Sequence, residues 1–422
     1  MVYKLFVNKK ILFLLFILTL TMIFYGCADQ SGSEETANQN NETNETNEGT
    51  DDSDTDEPIK IGGTLPLTGP YAETGLYIYD GYQHWVKEIN ENGGLLGRQV
   101  ELEILDDQSD QSNAVSLLQN VITQQNVDLI IGGYPGDTAA AQMNVAEQHE
   151  LVYISMGGHM TSFEQGYTYS FGAPPLMGEW WYHSFFEWLK TIPEDERPTK
   201  AAMITVNNPV GNAVRGSTIE GLEELNIELV VDEFYELPLS SAEPLVNKAK
   251  QAGADLFFAN GFFGDGVQTM RAIRALDYQP KAILQGIGTL IPSWEEELGE
   301  EGNYVFSGTA MHPTLPFEGV DELNKVSQEL YGTDAPPYFM FGYAWMQVLG
   351  QAVEGVGTID HEKMRDWLRE NAVETVGGRF TFDEKGLPEP YSYLTQVING
   401  EAKLVWPEEV ATEELVYPHP FN

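Results

Sequence analysis

The sequence predicts an α/β protein made of two lobes, each built on a doubly wound parallel sheet. The chain has 422 residues, more than the roughly 250–300 residues at which a single hydrophobic core stops growing. Apolar runs of strand length alternate with segments whose apolar residues recur at helical spacing, which is the pattern of βαβ units. The alternation begins a second time near Ala201. Two similar α/β halves in one chain therefore favour a two-lobed architecture.

The first half contains strands that alternate with helices. The predicted strands are 59–65, 100–105, 127–131 and 151–155, and the predicted helices cover 78–89, 114–122 and 139–149. Strands that alternate with helices in this way pair in parallel, and the helices cover both faces of the sheet.

The second half repeats the pattern and then changes. Its predicted strands are 201–206, 229–235, 256–259 and 281–284, and its helices lie near 212–225, 242–252, 266–276 and 291–299. Three further helices follow near 318–331, 338–354 and 361–371, and two strands are predicted near the end, at 379–382 and 391–398. The chain shows no short-period repeat.

The N-terminus has the layout of an export signal. Three lysines precede an apolar run from 11 to 25, which is the charged-then-apolar order of such signals. The run ends at Gly26 and Cys27, and Cys27 is the only cysteine in the chain. Its position resembles the lipidation site of bacterial lipoproteins, with Phe24 and Tyr25 where that family has leucine and a small residue. A buried structural thiol and an uncleaved membrane anchor are the alternatives. We expect residues 1–27 to be a signal peptide with a lipidation cysteine, and the body to lie outside the cytoplasm.

Residues 28–57 predict a disordered acidic tether, because they are dominated by Asn, Glu, Thr, Ser and Asp and hold no aromatic residue. The formal net charge of the chain is -43. Residues 1–57 hold 11 of the 65 acids and 3 of the 22 bases, so the other 54 acids and 19 bases leave -35 on the body. Such a charge repels nucleic acids and anionic lipid surfaces. Adaptation to a salty medium and a merely acidic surface both account for it.

Several short segments, taken in order, carry a resemblance to a known family. They are 66–72 after the first strand, 89–98, 106–110 after the second strand, 128–132, and 378–383 near the end. Together they resemble the type I periplasmic-binding-protein family, in the branch named for the branched-chain amino-acid receptors of ABC transporters. The resemblance covers about 58–415, nearly the whole body.

The resemblance implies a particular arrangement of the two lobes. They are joined by a three-strand hinge, near 172–176, 308–313 and 378–388. Lobe 1 then comprises 58–175 and 312–378, lobe 2 comprises 176–311 and 379–422, and a ligand binds between them. An ABC permease and its ATPase are the implied partners. The protein is expected to be a monomer on the outer face of the cytoplasmic membrane, at the cell surface or in the periplasm.

The strand ends predict the same cleft independently of the resemblance. In open parallel sheets, ligands bind beyond the C-terminal ends of the strands, where turns lead into helix N-termini. The candidate turns are 66–72, 132–138, 156–161, 261–266 and 285–288.

The turn at 132–138 provides the first group of candidate ligand-binding residues. They are Tyr134, Pro135, Gly136, Asp137 and Thr138. Backbone amides, the Thr138 hydroxyl and the Tyr134 ring would meet the carboxylate or amide end of a ligand. The alternative is an ordinary strand-to-helix turn with Asp137 as a helix cap.

The other candidates come from the remaining turns. The resemblance aligns Gly157, Gly158 and His159 with a loop that offers a carbonyl and a hydroxyl to the ligand, with His159 in the place of the hydroxyl residue; a surface or core histidine is the alternative. Phe262 stands where the family has an aromatic ring, although adjacent phenylalanines are as often core residues. The last candidates are Tyr71, as a wall of the pocket, Gln285, and Asp265, which would bind a cationic group or cap the next helix.

The predicted function is solute capture for an ABC importer. The ligand classes are an amino acid, an amide or a small aromatic acid, and no acid for an amino-acid ammonium group is visible near Gly286. No G-x-S-x-G, H-E-x-x-H or Walker-type motif is present, and the histidines lack metal-ligand spacing. We therefore expect no catalytic residue, cofactor or metal. A ligand-sensing receptor component and an exported hydrolase are the alternatives.

Overall fold

The computed structural model describes residues 57–156, 158–173 and 178–421. The strands are β1 (Ile59–Leu65), β2 (Val100–Asp106), β3 (Leu129–Ile131), β4 (Tyr153–Ser155), β5 (Ser170–Gly172), β6 (Lys200–Val206), β7 (Glu228–Tyr235), β8 (Leu256–Asn260), β9 (Ala282–Gln285), β10 (Phe306–Thr309), β11 (Val373–Thr375), β12 (Gly378–Phe380), β13 (Tyr393–Ile398) and β14 (Glu401–Trp406). The helices are α1 (Ala72–Glu91), α2 (Gln111–Gln124), α3 (Gly136–Gln148), α4 (His183–Thr191), α5 (Pro209–Glu224), α6 (Glu243–Ala252), α7 (Phe263–Ala275), α8 (Ser293–Leu298), α9 (Val320–Tyr331), α10 (Pro337–Val356) and α11 (His361–Glu370). The predicted signal, Cys27 and nearly all of the tether lie outside the described residues.

Lobe 1 is the part built on strands β1 to β5. Strands β2, β1 and β3 pair in parallel in that order, and β4 pairs in parallel with β5. A hydrogen bond from Gly132 N to Ile154 O, 2.8 Å long, connects the end of β3 to β4. Helix α10 returns to this lobe and crosses α1 so closely that a Cβ on Gly81 would lie 2.4 Å from the carbonyl oxygen of Phe339. The glycine permits this backbone approach, and the apolar faces of both helices are buried.

Lobe 2 is built on a seven-stranded sheet with the order β14-β13-β10-β9-β8-β6-β7. Strands β6 to β9 are parallel, as the sequence predicts, and β10, which the sequence analysis does not predict, pairs in parallel with β9; β13 and β14 are antiparallel. The interior of the sheet includes the fully buried runs Leu256–Phe258 of β8 and Ala282–Leu284 of the central strand β9. Helix α4 covers one face, where Phe185 and Trp188 pack against Phe306. This mixed sheet gives lobe 2 an antiparallel edge that alternating βαβ units do not produce.

The chain passes between the two lobes after β5, after β10 and between β12 and β13. Residues 174–177 of the first passage lie outside the described residues. The hinge positions and lobe boundaries therefore stay predictions. Within the described ranges, no helix combines the length and the apolar composition that crossing a bilayer requires.

Gly308 of β10 provides a test of the lobe 2 packing. A Cβ at Gly308 would lie 1.7 Å from the carbonyl oxygen of Trp181, and a backbone atom cannot rotate away. We therefore expect Gly308→Ala to lower the free energy of unfolding by about 1 to 2 kcal/mol through overpacking, as measured by urea denaturation.

The matched control is Gly216→Ala in α5, where an added Cβ would meet no atom within 4 Å. This change is expected to raise stability by roughly 0.5 to 1 kcal/mol, because alanine costs less backbone entropy in a helix. Equal effects of the two changes would contradict the close approach of β10 to Trp181.

Candidate functional site

A cavity of about 50 Å³ lies between the lobes, at the C-terminal ends of the parallel strands. Lobe 1 contributes residues from the turns after β3 and β4. Lobe 2 contributes residues from the turns after β6, β8 and β9 and from the segment that precedes α4. The cavity therefore lies beyond the C-terminal ends of the parallel strands of both lobes, which is where ligands bind in open parallel sheets.

Tyr134, Pro135 and Gly136 form the wall that follows β3. A buried network holds the two glycines before them: the Tyr82 hydroxyl donates to Gly132 O at 2.7 Å, and Gly133 N donates to the Tyr153 hydroxyl at 3.0 Å. These hydrogen bonds fix the backbone directly before Tyr134. The Tyr134 ring therefore lies against the cavity, and only 1% of the residue's surface is exposed.

The turn after β4 contributes Met156 and Gly158 to the wall. Gly157 lies outside the described residues. His159 is not on the wall. Its Nδ1 lies 2.7 Å from the Thr161 hydroxyl, its Nε2 lies 4.0 Å from Asp137 Oδ1, and burial lowers the pKa of the imidazole.

The turn after β8 places Asn260, Gly261 and Phe262 on the wall of lobe 2. The Asn260 amide nitrogen donates to Thr205 Oγ1 at 3.1 Å, which fixes the orientation of its side chain. The Phe262 ring lies 4.7 Å from the ring of Tyr71, centroid to centroid, so an aromatic contact joins the two lobes. Tyr71 also meets Tyr134 edge to face at 6.4 Å. Tyr71 itself does not line the cavity, but it connects the two rings that do.

Asp265 and Gln285 hold the Phe262 turn from behind and are not on the wall. The Asp265 carboxylate accepts from Phe262 N at 3.1 Å and from the Tyr235 hydroxyl. This is the helix-cap alternative for Asp265, and burial raises the pKa of its carboxyl to about 6. The Gln285 amide nitrogen donates to Phe262 O at 3.1 Å. Gly286 and Ile287, which follow Gln285, do line the cavity.

Asp137 and Thr138 are also absent from the wall, although both are largely buried. Asp137 Oδ1 accepts a hydrogen bond from Val210 N at 3.1 Å, and Val210 lies in the first turn of α5. This bond joins lobe 1 to lobe 2. Burial raises the pKa of the Asp137 carboxyl to about 6. Burial, with smaller contributions from the charges of Asp137 and Asp265, raises the pKa of Tyr71 to about 12.

Several wall residues were not among the sequence-predicted candidates. Trp181 and Tyr182 precede α4, and Asn208, Val210 and Gly211 begin α5. The α5 turn carried a usable signal, because Asn208-Pro209 directly after a strand is a cap followed by a first-turn proline. The segment before α4 has no periodicity that would reveal it.

The described wall residues include no Asp, Glu, Lys, Arg or His. The wall residues Gly136, Val210 and Phe262 lie at the N-termini of α3, α5 and α7. Helix N-termini attract negative or partially negative groups. Across the described ranges, no three His, Cys, Asp or Glu side chains are grouped to hold a metal ion.

Two α/β lobes around a small cavity, with an apolar wall and a few buried polar side-chain atoms, are the architecture of a two-lobed solute-binding protein. The profile of the family described as "Periplasmic binding protein" matches residues 58–402. The chain belongs to this family.

Individual relatives and solved structures agree with that membership. The Leu/Ile/Val-binding protein homolog 1 of Brucella suis is 26% identical over 349 residues, which cover 80% of this chain and 89% of that protein. A branched-chain amino acid transporter substrate-binding protein of Streptococcus pneumoniae, solved with isoleucine, has a TM-score of 0.74 at 20% identity and covers 86% of this chain and 100% of that one. An ABC transporter solute-binding protein of Rhodopseudomonas palustris, solved with benzoate, has a TM-score of 0.73 at 17% identity, with coverages of 83% and 96%. The fold is thus that of type I periplasmic binding proteins.

Proposed function

We propose that the protein is the solute-binding subunit of an ABC importer, which captures a small organic solute between its lobes and delivers it to the permease. The observation that carries the proposal is the interlobe cavity, whose wall combines apolar rings with buried polar atoms and holds no reactive pair. The names of the Brucella and Streptococcus proteins point to branched-chain amino acids, and the Rhodopseudomonas complex points to aromatic acids. No catalytic step is part of the proposal.

Capture requires the lobes to part and close again. The cavity of about 50 Å³ is smaller than the roughly 150 Å³ that hold a benzene-sized ligand. The contacts between the lobes include the Tyr71–Phe262 rings and the Asp137–Val210 hydrogen bond. A solute that contacts both walls stabilises the closed state, because only that state offers all its contacts.

Native mass spectrometry of the purified protein tests the proposal directly. We expect a co-purified small molecule, and a higher melting temperature when it is added back, since a ligand bound only by the native state adds about 2.7 kcal/mol at a hundred times its dissociation constant. Failure of a broad panel of amino acids, amides and aromatic acids to bind, with no co-purified molecule, would refute solute capture.

The N-terminal segment supports a membrane-anchored, extracytoplasmic location in this proposal. Acyl chains on Cys27 would tether the body through residues 28–57 beside the permease and its ATPase, with the protein acting as a monomer. Each buried methylene contributes only about 0.8 kcal/mol, so stable anchoring needs two chains or more.

We expect Cys27→Ala to abolish fatty-acid labelling and to change the processing and membrane association of the protein. The measurement is metabolic labelling combined with membrane fractionation. The unsubstituted protein is the control. A Cys27→Ala protein that is processed and membrane-bound just as the unsubstituted protein is would contradict the lipoprotein interpretation.

A further inference from the structure

Four polar atoms of the cavity-lining side chains are buried without a hydrogen-bond partner among the described residues. They are Tyr134 OH, Trp181 Nε1, Tyr182 OH and Asn260 Oδ1. The four residues are only 1%, 6%, 2% and 3% exposed. An unpaired buried polar group destabilises the folded protein, so a ligand that pairs with these atoms recovers that energy. The indole can only donate, the amide oxygen can only accept, and a hydroxyl can do either.

No carboxylate on the wall is available for a cationic ligand group. Asp137 and Asp265, which lie beside the wall, already accept hydrogen bonds from Val210 N and from Phe262 N and the Tyr235 hydroxyl. Glu179 precedes Trp181 but does not line the cavity, and its carboxylate accepts from Met160 N. Burial raises the pKa of the Asp137 and Asp265 carboxyls. An ammonium group in this cavity would therefore lose its water without gaining a counter-charge, which is strongly unfavourable.

The backbone around the cavity favours the opposite polarity. Helices α3, α5 and α7 begin at wall residues Gly136, Val210 and Phe262 or directly beside them. The positive ends of three helix dipoles thus converge on one small cavity, next to the Trp181 indole donor. An oxygen that carries full or partial negative charge suits this environment.

We propose that the solute is a compact apolar molecule with a carboxylate or carboxamide group and no ammonium group, and that Trp181 and Asn260 select it. The inference rests on the proposed function and deepens it. The carboxyl or amide oxygen accepts from Trp181 Nε1 and the helix N-termini, and an amide N–H additionally donates to Asn260 Oδ1. The apolar body contacts rings such as those of Tyr134 and Phe262.

Two amino acids and their analogues without the ammonium group test the proposal; each acid differs from its amino acid only in that group, and each amide also replaces the carboxylate. Calorimetry and thermal shift would compare leucine with 4-methylpentanoate and 4-methylpentanamide, and phenylalanine with 3-phenylpropanoate and 3-phenylpropanamide. We expect the acid or the amide in at least one series to bind tenfold or more tightly than its amino acid. Leucine or phenylalanine that binds as well as its counterparts would overturn the inference while solute capture stands. If none of the six compounds binds, the ligand class is wrong, and the co-purified molecule decides separately whether the protein captures a solute.

Substitutions at Asn260 and Trp181 identify the selecting atoms. Asn260→Asp places a carboxylate on the wall and should reduce the preference for the acid or amide over the amino acid at least tenfold. The control is Asn212→Asp, which adds the same charge at an exposed position and should leave this preference unchanged. If the amide is the ligand, Asn260→Leu should weaken binding of the amide by about tenfold and leave binding of the acid unchanged. Trp181→Phe should weaken the binding of both compounds. Preferences that stay constant in folded Asn260 and Trp181 variants would overturn the assignment of these residues, and the wild-type comparison decides the ligand class even where a variant does not fold.

Discussion

Replacing Phe262 with alanine is expected to weaken solute binding by about a hundredfold. The ring is 8% exposed, lies on the cavity wall and meets Tyr71 of the other lobe at 4.7 Å. Burial of a phenylalanine side chain contributes about 1.5–3 kcal/mol, and each 1.4 kcal/mol is tenfold in affinity. The free energy of unfolding should fall by less than the roughly 3–5 kcal/mol typical of a fully enclosed phenylalanine, because the ring borders the cavity on one side and packs between the lobes.

The measurement is calorimetry with the tightest-binding solute, together with urea denaturation of the free protein. Phe263→Ala is the matched control, because Phe263 is the neighbouring aromatic residue at the start of α7 and does not line the cavity. Small-angle scattering with and without the solute would report closure. A strongly destabilised Phe262→Ala protein whose radius of gyration does not respond to the solute would make Phe262 a core residue and remove the cleft.

The position of the cavity could be predicted from the sequence because it depends on backbone topology. Turns that follow parallel strands meet at one edge of a sheet, so the turns after β3, β4, β8 and β9 had to be neighbours within their lobes. The rule therefore predicts that Tyr134, Phe262 and the glycines of these turns border the cavity. The rule identifies the turn but not the direction of each side chain within it.

That difference explains why some polar candidates lie behind the wall. Asp265 and Gln285 are in the predicted turns, but their side chains satisfy backbone groups of the Phe262 turn. Short polar side chains at helix starts compete for the free N–H groups there. Asp137 similarly satisfies an N–H group of the opposite lobe, at Val210. A ligand role and a capping role use the same residue types at the same positions, so sequence alone leaves both open.

The misses in the fold have separate causes. Helix α4 is short and rich in aromatic residues. Its packing against β10, rather than the periodicity of its sequence, determines that this segment is a helix. Strand β14 had a clear signal that the prediction did not use. Asn399 and Gly400 separate β13 from β14 and both have positive φ. An Asn-Gly pair between two strands is a strong hairpin signal, and it would have predicted the antiparallel edge of lobe 2.

Replacing Asp137 with asparagine is expected to raise the free energy of unfolding at pH 7 by about 2 kcal/mol. Burial raises the pKa of this carboxyl from 3.8 to about 6, so the folded protein binds the proton more readily than the unfolded chain. The stability that this group contributes is therefore complete below pH 4 and is lost as the pH rises through 6. The shift corresponds to about 3 kcal/mol, and the helix N-termini of α3 and α5 offset part of it because they favour the charged form.

Urea denaturation of both proteins between pH 4 and pH 7 measures the difference. The asparagine oxygen keeps an acceptor for Val210 N, so the variant should match the wild type near pH 4 and exceed it progressively toward pH 7. His159, with Nε2 4.0 Å from Asp137 Oδ1, and Tyr71 are the titratable neighbours, and both are present in the two proteins. The exposed Asp195→Asn is the control and should show no such divergence. A variant that is less stable than the wild type at pH 7 would mean that the charged carboxylate, rather than its neutral form, holds the two lobes together.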